Sequence, residues 1–213
     1  MGLDAPTTAI AAHSNMEQHM SEITITEMSS EDRNSAAELC EAAFLETPLT
    51  KAALGGSGQK QHKSLLMGMK MMMKAPGRVF VAKDAGVVVG VMRIVEWPDC
   101  QKSSPHGIVK YLGFLFAGKG FRNMIHFRGI WKNHDPREPH WHLDPLCVHP
   151  ERQGQGIGSK LLAYYVALLD DAGAMAYHET DQEQNERLYN RFDFVTKETE
   201  TIFGIENRFM WRD

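Results

Sequence analysis

The strongest constraint on the fold is a glycine-rich segment between a predicted strand and a predicted helix. The strand covers residues 140–148, and apolar residues at helical spacing begin at Ile157. Between them, Gly154, Gly156 and Gly158 allow a tight turn that exposes successive backbone N–H groups. The helix dipole and the unpaired donors at such a helix start favour a phosphate or pyrophosphate. This segment therefore predicts a site for a phosphorylated ligand.

The spacing distinguishes between the known kinds of phosphate loop. A Walker A loop requires Gly-Lys followed by Ser or Thr, whereas this chain has Gly158-Ser159-Lys160. A dinucleotide fingerprint requires Gly or Ala at position 159, where this chain has Ser. Neither motif fits. The pattern that does fit is Gln153-x-x-Gly156-x-Gly158 after an apolar strand.

That pattern resembles the acetyl-CoA motif of the Gcn5-related N-acetyltransferase (GNAT) family. Residues 185–194 are similar to the Asn-x-x-x-Tyr-x-x-x-Gly-Phe block of the same family, with Asn185 and Tyr189 in place and Asp193 instead of Gly. The resemblance covers residues 23–212. It implies an α/β fold in which helices flank a mixed, mainly antiparallel central sheet. It also implies acetyl-CoA as the acyl donor, CoA as a product, and direct acetyl transfer to a primary amine.

The resemblance assigns the cofactor contacts residue by residue. Backbone N–H groups near Val148 are expected to polarise the thioester oxygen. The residues expected to bind acetyl-CoA are Leu146, Cys147, Val148, Gln153, Gly154, Gln155, Gly156, Ile157, Gly158, Ser159, Asn185 and Tyr189. A covalent acyl-enzyme on Cys147 is disfavoured, because no base with a fixed relation to this thiol is evident and buried cysteines usually act as small hydrophobes.

Three residues are candidates for catalysis. His142 lies where family members often carry a Glu or His that removes the amine proton, and Asp144 shares its strand face and is expected to assist. A neutral imidazole with an ordinary pKa near 6.5 is a suitable base, although a purely structural strand histidine explains the residue equally well. Tyr189 is expected to protonate the departing thiolate of CoA, the alternative being a core tyrosine.

Within the family, the most similar branch is that of puromycin N-acetyltransferase and its small-molecule relatives. The likeness rests on the blocks at residues 136–143, 148–150, 179–180 and 208–212. It implies a small amine as the acceptor. The aromatic segment 111–131 can form a substrate wall or a homodimer face, and the methionines of residues 67–73 can line a pocket or fill the core.

The remaining pattern predicts one domain. Residues 1–21 are polar and predicted to be a flexible tail, and residues 22–213 form the acetyltransferase domain. Predicted strands lie near residues 23–26, 78–83, 87–95, 175–180, 192–195 and 205–212, and predicted helices around residues 36–43, 61–74 and 181–191. In the last of these helices, Asp181 and Gln184 are expected to form a capping box.

Composition excludes several other classes of protein. The formal net charge of −4 argues against generic nucleic-acid binding, and no apolar run reaches the roughly 20 residues of a membrane span. The three cysteines are widely spaced without a Cys-x-x-Cys pair, which argues against a disulfide framework and a metal site. With no basic leader at the N-terminus, these features predict a cytoplasmic protein.

Two rival functions remain at this stage. The first is a CoA-binding regulatory or interaction protein that has lost catalysis, and the second is a nucleotide-binding module. Release of CoA in the presence of an amine distinguishes the enzyme from the first rival. The failed Walker and dinucleotide spacings weigh against the second.

Overall fold

The computed structural model describes residues 22–101 and 119–213. In these ranges seven strands form one sheet in the order β1-β2-β3-β4-β5-β7-β6. The strands are β1 Thr24–Glu27, β2 Arg78–Asp84, β3 Val87–Glu96, β4 Trp141–Val148, β5 Ala176–Thr180, β6 Val195–Ile202 and β7 Ile205–Arg212. The helices are α1 Arg33–Leu45, α2 Pro48–Leu54, α3 Gln59–Met72, α4 Lys119–His134, α5 Ile157–Ala172 and α6 Glu183–Asn190.

The sheet is mixed and mainly antiparallel, as the sequence predicts. Only β4 and β5 pair in parallel among the described strands, and every other neighbouring pair is antiparallel. Short 3₁₀ turns at Asp99–Gln101 and Pro150–Arg152 follow β3 and β4. Within the described ranges, no helix combines the length and the hydropathy needed to cross a membrane.

Both faces of the central strands are buried. On β2, Val79 and Val81 pack into a cluster with α1 and α3, whereas Phe80 and Ala82 pack into a second cluster with α5. This alternation follows from the two-residue period of a strand. Because helices cover both faces, β2 and β3 have nearly continuous apolar sequences.

Gly90 of β3 allows the start of α5 to approach the sheet closely. A Cβ atom at this position would lie 2.9 Å from Cδ1 of Leu161 and 3.1 Å from Cγ2 of Ile157. Both contacts are tighter than ordinary van der Waals packing. Gly90 also pairs with Val148, the last residue of β4. The close packing of α5 on Gly90 therefore also positions the turn that follows β4.

We expect Gly90→Ala to lower the free energy of unfolding by about 1–3 kcal/mol, because the added methyl group overpacks the contact with α5. Urea unfolding monitored by circular dichroism measures this change. The matched control is Gly68→Ala on α3, where an added Cβ meets nothing within 4 Å. The control should stabilise the protein slightly, since alanine is the better helix former. Equal stability changes in the two variants would contradict the packing role of Gly90.

Several local predictions are confirmed and others are wrong. The hairpin of β2 and β3 and the terminal strand at Ile205–Arg212 are confirmed, whereas the strand predicted at residues 192–195 begins at Val195 instead. The capping box fails because Oδ2 of Asp181 accepts a 3.0 Å hydrogen bond from the backbone N–H of Leu49, on α2. The sequence gives no sign of α2, and residues 1–21 and 102–118 lie outside the described ranges.

The methionine segment and the described part of the aromatic segment contribute in part to the core. Met69 and Met73 are buried against α1, whereas Met67 and Met71 face solvent. In α4, the buried Phe127 and the partly buried Trp131 pack in a small cluster that includes residues of α2 and β6. Residues 111–118 of the aromatic segment are not described.

Asp193 occupies a left-handed turn with φ of +63°. This is the position at which the GNAT block usually carries Gly, and a positive φ explains that preference. Asp tolerates this conformation better than most residues. The turn is therefore kept, and Phe194 donates its backbone N–H to the carbonyl of Tyr189 at 3.3 Å.

Candidate active site

The sheet opens between its two parallel strands. β4 and β5 pair only at Trp141 with Ala176 and at His142 with Tyr177. Beyond these two positions the strands diverge, and residues 143–148 of β4 have no pairing with β5. Backbone groups that lack a ladder partner are available to a ligand. We call this gap between residues 143–148 and residues 178–180 the cleft.

A bulge in β4 determines which side chains face the cleft from each side. The register against β3 shifts between Met92 and Ile94, opposite the cis Asp144-Pro145 peptide. Leu143 and Leu146 consequently both pack on the α5 side, although strict alternation would place them on opposite faces.

His142 and Glu179 meet across the cleft. Nε2 of His142 lies 2.9 Å from Oε2 of Glu179, and their side chains are 12% and 4% exposed. Burial alone lowers the pKa of His142, but the carboxylates of Glu179, Asp144 and Asp135 raise it to about 9. The predicted pKa near 6.5 is therefore wrong, and His142 is protonated at neutral pH in the resting protein.

Asp144 forms an ion pair with a residue of α4. Oδ2 of Asp144 accepts a 2.8 Å hydrogen bond from Nη2 of Arg128. Burial alone raises the pKa of Asp144, but Arg128, His142 and Arg93 lower it to about 2. Nη1 of Arg93 donates to the backbone carbonyl of Asp144 at 2.9 Å. A carboxylate held ionised in this way is a weak base and a well-fixed charge.

Tyr189 approaches the cleft from the α5 side. Its side chain is buried, and its ring centroid lies 3.6 Å from that of His178. Burial raises the pKa of Tyr189, and the nearby Cys147 and Glu179 raise it further. Burial also lowers the pKa of His178 to about 3, so the neighbouring ring is neutral. The phenol of Tyr189 therefore stays protonated. Asn185 lies one turn earlier on α6 and is only partly buried.

The glycine-rich loop has the predicted geometry. Gly154 and Gly156 have φ of +75° and +79°, and an added Cβ on either would meet nothing within 4 Å. Nε2 of Gln153 donates to the carbonyl of Val148 at 3.2 Å and closes the loop. No side chain caps α5 at Gly156 among the described residues.

This end of α5 fits the pyrophosphate of CoA. The first N–H groups of the helix, from Ile157 onwards, are left without a side-chain cap, and the space above the loop is open. Nη2 of Arg191 lies 3.4 Å from Oγ of Ser159 and places a positive charge beside the same helix start. The donors and the charge match a phosphate diester in chemistry.

The side chains of Cys147 and Gln155 make contacts within the protein. Sγ of Cys147 lies 3.0 Å from Sγ of Cys40 on α1, and burial raises its pKa well above the ordinary range. It is thus a protonated core thiol rather than a nucleophile. The side chain of Gln155 bonds within the turn, accepting from Nε of Arg152 at 2.9 Å.

The structure brings His142, Asp144 and Tyr189 to one cleft and places the loop at its end. Glu179 lies in a predicted strand, where the sequence indicates a charge that can attract a cationic amine and an alternative base should His142 not serve. Arg128 and Asp135 were missed, because nothing local links α4 or the turn after it to β4. In the sequence, only the length of the polar segment that forms α4 suggests that this helix contributes residues to the site.

Comparison with known sequences defines the family. The sequence model of the acetyltransferase (GNAT) family matches residues 55–194, which is more than half of the chain. The chain belongs to the GNAT acetyltransferase family. As a GNAT acetyltransferase it is an acetyl-CoA-dependent N-acetyltransferase. The matched residues contain both the glycine-rich loop and the block ending at Phe194.

Solved structures share the GNAT fold at low identity. An acetyltransferase from Corynebacterium glutamicum, described as histone acetyltransferase HPA2 and related acetyltransferase, has a TM-score of 0.65 and 20% identity over 91% of this chain and 96% of its own. The Drosophila melanogaster polyamine N-acetyltransferase has a TM-score of 0.63 and 15% identity over 89% and 98%. The yncA protein of Salmonella typhimurium, solved with acetyl-CoA, has a TM-score of 0.55 and 19% identity over 90% and 93%.

Proposed function

We propose that this enzyme transfers the acetyl group of acetyl-CoA directly to the primary amine of a small molecule. The observation that carries the proposal is the cleft between β4 and β5. A histidine-carboxylate pair faces the cleft from one side and a protonated tyrosine from the other, and an uncapped helix start lies at its end. Holding amine and thioester in one site removes an entropic barrier of several kcal/mol.

The loop and β4 bind the acyl donor in this proposal. The N–H groups at the start of α5 hold the pyrophosphate, with Gly154 and Gly156 giving it close access to the backbone. Unpaired backbone groups of residues 143–148 align the pantetheine arm in place of a neighbouring strand. A backbone N–H near Val148 polarises the thioester oxygen. Acetyl-CoA itself supplies the activated acyl group.

Two groups handle the protons of the reaction. The pair of His142 and Glu179 accepts a proton from the attacking amine once His142 has lost its own proton, which its raised pKa of about 9 makes more frequent toward alkaline pH. Tyr189 donates a proton to the sulfur of CoA as the carbon–sulfur bond breaks. Arg128 and Arg93 keep Asp144 ionised, so Asp144 acts as a positioning residue for His142. This assignment replaces the assisting role that the sequence suggested for Asp144.

We expect Tyr189→Phe to keep the affinity for acetyl-CoA and to lower kcat by roughly 100-fold or more, since only the leaving-group step uses the hydroxyl. Isothermal calorimetry and steady-state kinetics measure the two quantities separately. Tyr164→Phe is the matched control, because Tyr164 lies on α5 with its ring 5.2 Å from that of Phe80. A proportional loss of binding and kcat in Tyr189→Phe would indicate a structural tyrosine.

Two buried carboxylates next to His142 are available to orient an acceptor amine. The carboxylates of Glu179 and Asp135 are each 4% exposed and lie on either side of His142. Each carboxylate can accept a hydrogen bond from an amine, while His142, Arg128 and Arg93 balance the negative charge. The likeness to the puromycin branch favours an aminoacyl amine, and the Drosophila structure, described as a polyamine enzyme that forms N-acetylagmatine, favours a polyamine. Both are small primary amines.

A panel of amines tests the function. Release of free thiol from acetyl-CoA is measured with an aminoacyl amine, agmatine, a linear polyamine and a histone-tail peptide. We expect turnover with at least one small amine and none with the peptide. Reaction with the peptide alone would overturn the small-molecule proposal. Tight binding of acetyl-CoA without turnover on a broad panel would favour the inactive CoA-binding protein instead.

A further inference from the structure

Three metal-ligating side chains meet outside the cleft, at the end of the sheet where β3 ends and β4 begins. Sγ of Cys100 lies 3.5 Å from Nε2 of His140. Oδ1 of Asp135 lies 2.9 Å from the same nitrogen. The three ligand atoms all lie within 4.8 Å of one another. We call these residues the Cys100 cluster.

The imidazole of His140 is oriented as in a metal site. Its Nδ1 lies 2.8 Å from the backbone carbonyl oxygen of Glu138, to which Nδ1–H donates. Nε2 is therefore the ring nitrogen that faces Asp135 and Cys100. Burial alone lowers the pKa of His140, but these neighbours raise it to about 9. A metal ion bound here displaces the Nε2 proton to solvent. Histidines that bind metals commonly donate their other ring N–H to a carbonyl, which fixes the tautomer and the ring orientation.

A buried carboxylate oxygen in the cluster lacks a hydrogen-bond donor. The side chain of Asp135 is 4% exposed and that of His140 is fully buried. Despite its proximity to Nε2, Oδ1 of Asp135 accepts no hydrogen bond from any described residue. An unsatisfied buried carboxylate oxygen is costly. A cation between the three ligand atoms satisfies this oxygen and the lone pair of His140 together.

The donor set identifies the class of metal. A thiolate, an imidazole and a carboxylate suit Zn²⁺, whereas Mg²⁺ and Ca²⁺ prefer oxygen ligands alone. Tetrahedral Zn²⁺ with ordinary bond lengths separates the sulfur and nitrogen ligands by roughly 3.5 Å, and the nitrogen and oxygen ligands by roughly 3.3 Å. The sulfur–nitrogen separation matches the 3.5 Å between Sγ of Cys100 and Nε2 of His140. The nitrogen–oxygen separation requires Asp135 to shift by a few tenths of an ångström, because its Oδ1 lies 2.9 Å from Nε2.

We infer that the Cys100 cluster binds one Zn²⁺ ion through Cys100, Asp135 and His140, with water as the fourth ligand. Cys100 binds as a thiolate and releases its proton to solvent. The ion joins three segments that are distant in sequence: the 3₁₀ turn after β3, the turn after α4, and the start of β4. Its role is structural, because it fixes the backbone immediately before the cleft.

Metal binding is tested on the full chain after treatment with a chelator. Zn²⁺ is titrated against a chromophoric competitor, and Co²⁺ is added separately as a spectroscopic probe. We expect one Zn²⁺ per chain, a thiolate-to-cobalt charge-transfer band, and a rise in Tm with Zn²⁺. Cys100→Ser should remove the band, whereas the matched control Cys40→Ser should keep it, because Cys40 is buried on α1.

The wild-type protein provides a second measurement if a variant fails to fold. Zn²⁺ should protect one thiol, Cys100, from a thiol-modifying reagent, as identified by mass spectrometry of the modified peptides. Absence of stoichiometric binding in the wild type would overturn the inference and leave a simple ion pair between His140 and Asp135. A cobalt band that persists in Cys100→Ser would overturn it as well.

Discussion

Gly156→Asp is expected to reduce the affinity for acetyl-CoA by about 100-fold or more while the protein remains folded. An aspartate here places a negative charge beside the pyrophosphate. At about 4 Å, two unit charges near a protein surface repel by about 4 kcal/mol. The side chain also fills the open space above the loop. Isothermal calorimetry with acetyl-CoA measures the loss.

The matched control is Gly204→Asp in the turn between β6 and β7. Gly204 has φ of +80°, nearly the same as the +79° of Gly156, and an added Cβ there also meets nothing within 4 Å. The control therefore has the same backbone strain and the same added charge, and it should bind acetyl-CoA normally. Undiminished affinity in folded Gly156→Asp would remove the loop from the binding site.

His142→Gln is expected to lower kcat by about 10²–10⁴-fold at alkaline pH, where the wild-type His142 with its pKa of about 9 has lost its proton, because glutamine keeps a hydrogen bond to Glu179 but cannot accept the amine proton. Affinity for acetyl-CoA should be unchanged. Glu179→Gln should give a loss of similar size, since the two side chains act as one pair. Steady-state kinetics with the best amine of the panel measures both.

His62→Gln is the control for this prediction. Nδ1 of His62 lies 2.6 Å from Oε1 of Glu41, so α3 and α1 carry a second histidine-carboxylate pair outside the cleft. This variant should retain wild-type turnover. If His142→Gln also turned over at the wild-type rate, the proton acceptor would have to be another group.

The sequence predicted the cofactor loop well because its determinants are local. Positive φ values at Gly154 and Gly156 and the helix start at Ile157 depend on neighbours within a few residues. The same holds for the hairpin of β2 and β3. Local spacing therefore sufficed to indicate the family and the geometry of the glycine-rich loop.

The other half of the active site depends on contacts that are distant in sequence. The pKa of His142 is set by Glu179, Asp144 and Asp135, which come from β5, β4 and the turn after α4. The capping box failed for a similar reason, since Asp181 bonds to Leu49 across the fold. No single-sequence pattern encodes such pairings. The Cys100 cluster likewise joins three separate segments, which cysteine spacing alone could not show.

Because β4 and β5 pair at only two positions, the sheet consists of two halves that are weakly joined. The strands β1 to β4 form one half and β5 to β7 the other, and only the positions of His142 and Trp141 on β4 connect the two ladders directly. A ligand in the cleft replaces the missing ladder and bridges the halves. At a concentration 100 times its Kd, such a ligand adds about 2.7 kcal/mol to the free energy of unfolding. We therefore expect acetyl-CoA bound in this cleft to act as a structural component of the enzyme as well as its substrate, so that resistance to unfolding and proteolysis rises with the concentration of acetyl-CoA.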